Sequence, residues 1–520
     1  MMKNRLYRMG LGLSKALQWL VRWGGIPLMG LLFLSSLLVQ TIVYLDGGEW
    51  AELLPVKIWV FLTLIFFVFI LYISRKWFAK QSHKKVFWSL ALTYLLIGIV
   101  LIAITTDKTR DDAATVFRSA VEINSGNLRF LQTGEYLYRY PHQLGLVTFE
   151  RLVMKIIPIP SMVIFFVLNL FAVIGINFST WKTTDLLFKD EQITRYSILL
   201  SFAFLPQFFN ILFVYGIIFG LFFASFGIYF LLRYLKTKNW KWAAGAIVFL
   251  ALSYWIRNNY ILLLVALSLV LFFETMSKKS FKPILIALAM IGLGWGMNKA
   301  TVAYYEHLSG QDLSGTPKVT WLAMGLQDDG NSRRQPGWYN HYVRRIYFEK
   351  NGDYKAIEAD AKASVQESVS YFIQHPAYTW TFFKDKFLST WMDSTFESIW
   401  SGPSRFKKQP LINAFAASLY HGRWLYRILY QITHAILIMI YAGAFLFIAF
   451  FKKTDKDAHL KLYPFIYLAG GLVFHLLWET KSQYTSPYVY LLLPFVVAGY
   501  AYTFEKWQSG DFKKYSWRKK

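Results

Sequence analysis

The stretch VFWSLALTYLLIGIVLIAIT, residues 86–105, contains no charged side chain. A helix of about 20 apolar residues is long enough to cross the hydrocarbon core of a membrane. Similar runs recur along the 520 residues, of which 55% are hydrophobic and 19% aromatic, more than a soluble domain usually carries. Because helices satisfy their backbone hydrogen bonds internally, the sequence predicts an all-α polytopic membrane protein.

The apolar runs predict about 12 membrane-spanning helices. They lie near residues 25–45, 57–74, 86–105, 161–180, 195–211, 214–234, 241–256, 259–275, 282–298, 428–451, 463–479 and 485–503. Both tails and the loops after even-numbered spans are rich in Lys and Arg, which is typical of cytoplasmic segments. The protein is therefore predicted in the plasma membrane, with both termini on the cytoplasmic side. The net charge of +26 is interpreted as a topology signal and a contact with membrane lipids, with no nucleic-acid partner.

Two long polar stretches then face outward and contain most of the candidate chemistry. We divide the chain into spans one to three (1–105), a first outer loop (106–160), spans four to nine (161–298), a large outer loop with a small helical domain (299–427), and spans ten to twelve with a basic tail (428–520). Hydrophobic spacing predicts an amphipathic helix over Ala113–Ser125 and a helix along the membrane surface within Leu144–Pro160. In the large outer loop it predicts helices over Ala356–Ile373 and Tyr378–Trp391.

Several classes of chemistry are excluded by residues that are missing from the sequence. The chain has no cysteine, which excludes disulfides, thiolate catalysis and cysteine-ligated metals. It has no P-loop and no dinucleotide-binding glycine motif, which argues against an ATP-driven pump and a nucleotide-sugar enzyme with a Rossmann fold.

Two adjacent acids follow the third span, in TTDKTRDDAATVFRSAVEINSG, residues 105–126. Asp111 and Asp112 stand at the predicted start of a helix, where the helix dipole alone favours acidic residues. On the outer membrane surface, one of them is also a candidate general base that removes a proton from an acceptor hydroxyl. Both interpretations remain open at this point.

The residues after these acids form a recognisable series of blocks. Asp112, Val116 and Ala120 give the pattern D-x-x-x-V-x-x-x-A, and residues 138–145 read YRYPHQLG. The blocks PKVTWLAMGLQ (317–327), GWYN (337–340) and WETKSQY (478–484) follow in order. Together they resemble the GT-C superfamily of membrane glycosyltransferases, in particular a Firmicutes-type branch similar to protein mannosyltransferases and aminoarabinose transferases.

The resemblance implies a hexosyltransferase of a Gram-positive bacterium that acts on the outer face of the membrane. Its donor would be a polyprenyl-phosphate-linked sugar, its acceptor a cell-envelope glycan or lipid, and its stereochemistry inverting. Asp112 matches the family's catalytic acid, with Asp111 as a neighbour that substitutes for it or orients it. Within the matching blocks, the candidate substrate-binding residues are His142, Gln143, Trp338, Glu479 and Tyr484.

A leaving phosphate needs a nearby cation, because its negative charge grows as the glycosidic bond breaks. Arg257 is the first candidate, since it lies at the outer end of a span, although an arginine extending to the membrane interface is an equal alternative. Lys481 and Arg139 are the others, and Lys481 would alternatively pair with Glu479. Ala113 departs from the family pattern at the position of a second polar or acidic residue, so the resemblance does not imply a metal-binding acidic pair and the metal is unknown. Gln483 stands where the family commonly has an arginine, which argues against a phosphate contact at that end. No cofactor is certain, and a divalent cation is an open option.

Two further acid pairs are interpreted as solvated surface groups. Asp393 and Glu397 are predicted on an exposed helix face, and Asp328 with Asp329 in a turn. The alternative functions for the whole chain are a polysaccharide polymerase or ligase, which shares the outer location, and a flippase for lipid-linked oligosaccharides.

Overall fold

The computed structural model describes residues 2–45, 48–330, 333–403, 405–450 and 457–508. These residues form an all-α polytopic membrane protein with a single two-stranded sheet. The helices, numbered in chain order, are α1 Met2–Leu38, α2 Ile58–Ala79, α3 His83–Ile104, α4 Asp111–Asn124, α5 Tyr136–Arg139, α6 Leu144–Ile156, α7 Met162–Phe188, α8 Glu191–Ala203, α9 Leu205–Phe209, α10 Ile217–Thr237, α11 Trp240–Ile256, α12 Ile261–Lys278, α13 Lys282–Ser309, α14 Val319–Gly325, α15 Tyr342–Glu349, α16 Tyr354–Gln374, α17 Pro376–Trp391, α18 Pro410–Tyr420, α19 Trp424–Ala449, α20 Tyr463–Leu477, α21 Ser486–Tyr490 and α22 Leu493–Gln508. The strands are β1 Val39–Val43 and β2 Ala51–Pro55.

Ten helical segments within the described residues are long and apolar enough to cross a membrane. Each corresponds to one predicted span, and the helices at the two remaining predicted spans are shorter than these ten. The chain near residues 195–211 breaks at Phe204, just before Pro206, because proline lacks the backbone N–H that a continuous helix needs. Helix α11 has 17 residues and is about 26 Å long, slightly less than a typical hydrocarbon core. The multi-pass class is confirmed, while the number twelve stays a prediction.

The first span ends earlier than the sequence suggests, because its last predicted residues form a β-hairpin. Strands β1 and β2 pair antiparallel, from Val39 opposite Pro55 to Val43 opposite Ala51. Thr41 fastens this hairpin to α17: its backbone N–H donates to the Met392 carbonyl at 3.1 Å. The hairpin connection carries Glu49, which is part of the candidate site.

Both helices predicted in the first outer loop are present in the structure. Helix α4 begins two residues before the predicted Ala113 and buries the side chains of Val116, Ala120 and Ile123. Helix α6 ends at Ile156, ahead of Pro158 and Pro160. It packs against α4, α11 and α13, so the loop is part of the main core.

The large outer loop contains its own small core. Helices α16 and α17 confirm the two predicted helices to within about two residues at each end. The small core of this loop consists of Ala323, Met324, Tyr342, Val343, Ile346, Tyr347, Ile357 and Ala361. This packing holds the segment 337–340 beside residues 478–484.

Candidate active site

Helix α4 presents Asp112 at its first turn. Arg110 has extended backbone geometry and Asp111 a left-handed one, with φ 43°, which aspartate tolerates better than most residues. This sharp turn lets the helix begin immediately after the loop that leaves the third span. Asp111 and Asp112 are both exposed, but only Asp112 accepts a side-chain hydrogen bond among the described residues.

A short chain of hydrogen bonds holds Asp112. The Tyr215 hydroxyl donates to Asp112 Oδ2 at 3.2 Å, and Gln143 Nε2 donates to the Tyr215 hydroxyl at 2.7 Å. Tyr215 comes directly before Gly216, whose φ of +79° makes the turn into α10. The structure thus brings together residues 112, 143 and 215, which are far apart in sequence.

The Asp112 side chain is exposed, although protein surrounds it closely enough to desolvate the carboxylate. The resulting desolvation raises the pKa of Asp112 above its usual range. Lys481 and the Tyr215 hydrogen bond act in the opposite direction, whereas Glu49 and Asp111 raise the pKa further. A carboxylate with a raised pKa is a stronger base once ionised, which suits proton abstraction.

Lys481 is a buried cation whose ion-pair partner is Glu49, in the hairpin connection. Burial disfavours the charged ammonium, but Glu49 and the neighbouring acid Glu479 outweigh it and raise the pKa of Lys481 well above its usual value. The ammonium also lies 5.4 Å from the centre of the Tyr339 ring. Glu49 Oε2 is buried without a hydrogen-bond partner in the described part of the chain, so its capacity to accept a hydrogen bond is unsatisfied.

Arg257 lies between two aromatic rings next to this cluster. Its guanidinium carbon is 5.1 Å from the Tyr215 ring centre and 5.4 Å from that of Tyr484, and Nη1 donates to the Tyr215 carbonyl. A guanidinium has five N–H donors. Since the Tyr215 carbonyl is its one acceptor among the described residues, Arg257 retains donors that point to no protein partner.

Glu479 and Lys386 are buried ionisable residues close to the segment that contains Lys481. Burial raises the pKa of Glu479 to about 7, although Lys481 lowers it, and burial lowers the pKa of Lys386 to about 7. The Lys386 ammonium donates to the carbonyls of Gly325 and Trp478. It therefore joins the block around residue 325 to the block around residue 478.

Asp393 and Glu397 are buried, which corrects the prediction of an exposed helix face. They follow α17, which ends at Trp391, and lie in a turn where Phe396 and Glu397 have φ of 49° and 53°. Ser482 Oγ lies 2.7 Å from Asp393 Oδ2 and 3.0 Å from Glu397 Oε1, and burial raises the pKa of Glu397 to about 8. The two acids fix the backbone next to Lys481.

His142 and Arg139, two further residues predicted for the site, contact other parts of the protein. His142 has its ring 5.7 Å from the Trp321 ring, and surrounding protein together with Arg257 and Lys318 lowers its pKa to about 4, so it is neutral at pH 7. Arg139 donates hydrogen bonds to the Gly134 carbonyl and the Tyr140 hydroxyl.

Trp338 does not present its ring to a substrate in this structure. It is 1% exposed and its indole donates to Ser389 at 3.2 Å, so it packs in the core. The turn Asp328–Asp329 is exposed as predicted, with Gly330 N–H donating to Asp328 at 3.1 Å.

Two residues of the cluster were not singled out from the sequence: Glu49 and Tyr215. Glu49 had one available signal, an acid in a short outer loop nearly free of basic residues. Tyr215 had none, because aromatic residues are frequent at membrane interfaces. Within the residues described here, no three His, Asp or Glu side chains lie close enough together to hold a metal ion.

The fold and this cluster define the class of the protein: a multi-pass membrane protein with a solvent-accessible acid near a buried lysine and a half-buried arginine, in segments outside the long apolar helices. Comparison with protein-family models and with curated proteins finds no match for the chain.

Proposed function

We propose that this protein is a membrane glycosyltransferase that moves a sugar from a polyprenyl-phosphate carrier to a cell-envelope acceptor, with Asp112 as general base. The observation that carries the proposal is the placement of Asp112, with its raised pKa, beside the cations Lys481 and Arg257. Glycosyl transfer needs this combination: a base for the acceptor hydroxyl and positive charge for the departing phosphate.

The proposed reaction is a single displacement. Asp112 takes the proton of the acceptor hydroxyl while the acceptor oxygen forms a bond to the anomeric carbon of the sugar. The bond between that carbon and the phosphate oxygen breaks, and its electron pair leaves with polyprenyl phosphate. Attack opposite the leaving group inverts the anomeric configuration.

Each remaining residue has a role that its contacts support. Arg257 binds the phosphate of the sugar donor, because several of its N–H groups have no acceptor among the described residues and its guanidinium is fixed between Tyr215 and Tyr484. Lys481 supplies a permanent positive charge, since its pKa is raised. Glu49 holds Lys481 through one oxygen and accepts a sugar hydroxyl through the other.

The donor class is tested with purified full-length protein in liposomes. Synthetic undecaprenyl-phosphate hexoses and undecaprenyl-diphosphate oligosaccharides are supplied separately, with a membrane extract as acceptor and protein-free liposomes as control. We expect release of undecaprenyl phosphate from at least one monophosphate donor. Turnover of diphosphate donors alone would instead assign a polymerase or ligase, and movement of either lipid across the bilayer without turnover would assign a flippase.

A further inference from the structure

A cavity of about 460 Å³ lies where the third and fourth long apolar helices meet the first outer loop. It is lined by Asp107, Lys108, Thr109, Ala114, Phe117, Arg118, Val121, Pro160, Met162 and Arg405. The segment around residue 405 is fastened to the end of α3: Thr106 Oγ1 donates to the Arg405 carbonyl at 2.9 Å, and Lys407 N–H donates to the Ile104 carbonyl at 3.1 Å. The cavity therefore lies at one surface of the membrane.

The lining of this cavity is positively charged. Lys108, Arg118 and Arg405 are exposed, and none of the three forms an ion pair with another described residue. Asp107 is the one acid among the lining residues, so the lining has a net charge of +2 (three cations minus one acid). On the predicted outer face, where loops usually carry few cations, three unpaired ones indicate an anionic ligand.

The rest of the lining is apolar. An apolar wall of the cavity is formed by Phe117, Val121, Pro160 and Met162. Met162 is the first residue of α7, so this wall leads into the apolar part of a membrane-spanning helix. A soluble anion has no apolar part that could contact these side chains, whereas a phospholipid has both a phosphate and an acyl chain. The volume is also within the usual range of ligand pockets, roughly 300–1,000 Å³.

This cavity is separate from the site around Asp112, because the two lie on opposite faces of α4. A helix turns by about 100° per residue. Residues 114, 117, 118 and 121 are therefore rotated from Asp112 by about 200°, 140°, 240° and 180°. A ligand in the cavity contacts the back of the helix that presents Asp112.

We propose that the cavity binds the phosphate headgroup of an anionic phospholipid, with Lys108, Arg118 and Arg405 around the phosphate and the apolar wall against the first part of an acyl chain. Such a lipid holds α4 against the ends of the third and fourth long apolar helices. The proposal does not depend on the glycosyltransferase function, because lipid binding can be measured without turnover.

The test is lipid binding to the full-length protein in zwitterionic detergent, followed by native mass spectrometry. Phosphatidylglycerol, phosphatidylcholine and inorganic phosphate are titrated separately. The variant carries Lys108→Gln, Arg118→Gln and Arg405→Gln. The matched control carries Lys408→Gln, Arg423→Gln and Arg427→Gln, which also removes one lysine and two arginines from exposed positions, outside the cavity.

We expect the wild type to bind phosphatidylglycerol at least about tenfold more tightly than phosphatidylcholine, with the preference lost in the cavity variant and kept in the control. Each single substitution should remove part of the preference, which guards against a fold defect in the triple variant. Equal losses in both triple variants would overturn the site, because the effect would then be general surface charge. Binding of inorganic phosphate as tight as that of phosphatidylglycerol would overturn the assignment to a lipid.

Discussion

At the residue scale, the candidate site joins Asp112 to side chains from distant parts of the chain. Asp112 is a candidate that the sequence alone offers, because its motif is local: helix start, acid and apolar spacing lie within a few residues of one another. Its partners Tyr215, Lys481 and Glu49 come from three other parts of the chain, and only the fold brings them together. Lys481 was predicted as a phosphate-binding cation, with an ion pair to Glu479 as the alternative. In the structure its ion-pair partner is Glu49.

Removal of the neighbouring charge at Asp111 should change the pH dependence of activity. Asp111 raises the pKa of Asp112, so Asp111→Asn lowers that pKa and keeps the base ionised at lower pH. The acidic limb of the kcat/KM profile should move to lower pH by less than about one unit. Glu367→Gln, an exposed acid of α16, should leave the profile in place. An unchanged limb in Asp111→Asn would mean that Asp112 does not set it.

At the element scale, helices with clear hydrophobic spacing were predicted well and tight turns were not. Helices α4, α16 and α17 are periodic over several turns, and the structure confirms them. The turn after α17 was misjudged because Asp393 and Glu397 are four residues apart, as on a helix face. Helix α17 instead ends at Trp391, and the turn that follows has left-handed backbone at Phe396 and Glu397, which no local sequence pattern indicated.

Gly337 is required by close packing as well as by its backbone conformation. A Cβ at this position would lie 2.5 Å from Lys386 Cε and 2.6 Å from the Gly325 carbonyl oxygen. Gly330 has the same φ of 70° but open space around it, which makes it a matched control. We expect Gly337→Ala to destabilise the protein by about 1–3 kcal/mol more than Gly330→Ala in thermal unfolding. Equal losses would show that Lys386 moves aside without cost.

The buried Glu397 should make stability depend on pH. Its pKa is about 8 in the folded protein against an ordinary 4.5, so the folded state binds more protons between these values. Wild-type stability should therefore fall relative to Glu397→Gln as pH rises from about 5 to 8, by an amount on the order of 3 kcal/mol or less.

The measurement for Glu397 is the melting temperature of both proteins at each pH. Glu479 and Lys386 titrate in both, so their contributions cancel in the difference. Glu367→Gln provides the control for an exposed acid and should follow the wild type. A constant difference between wild type and Glu397→Gln across this pH range would show that Glu397 is ionised in the folded protein.

At the scale of the whole molecule, composition predicted the class, and the structure confirms it. Apolar length identifies a membrane helix whenever the helix is continuous, which is why ten predicted spans have counterparts among the described helices. Length alone does not reveal a break such as the one before Pro206, so the predicted segment 195–211 is divided.

The orientation in the membrane is tested by single-cysteine labelling, which the cysteine-free chain makes direct. Glu367→Cys lies in the large outer loop and Lys241→Cys at the start of α11, both exposed. A membrane-impermeant maleimide should label position 367 in intact cells and position 241 only after permeabilisation. The reverse result would place the Asp112 site on the cytoplasmic side.

The most direct test of the central claim compares Asp112→Asn with wild type and with Glu367→Gln, using release of undecaprenyl phosphate from a monophosphate-linked hexose. The substitution keeps the size of the side chain and its hydrogen bond from Tyr215 but removes the base. We predict a loss of at least about 100-fold in Asp112→Asn at equal abundance and thermal stability, with Glu367→Gln unaffected. A rate within about tenfold of wild type in Asp112→Asn would contradict the assignment of Asp112 as general base.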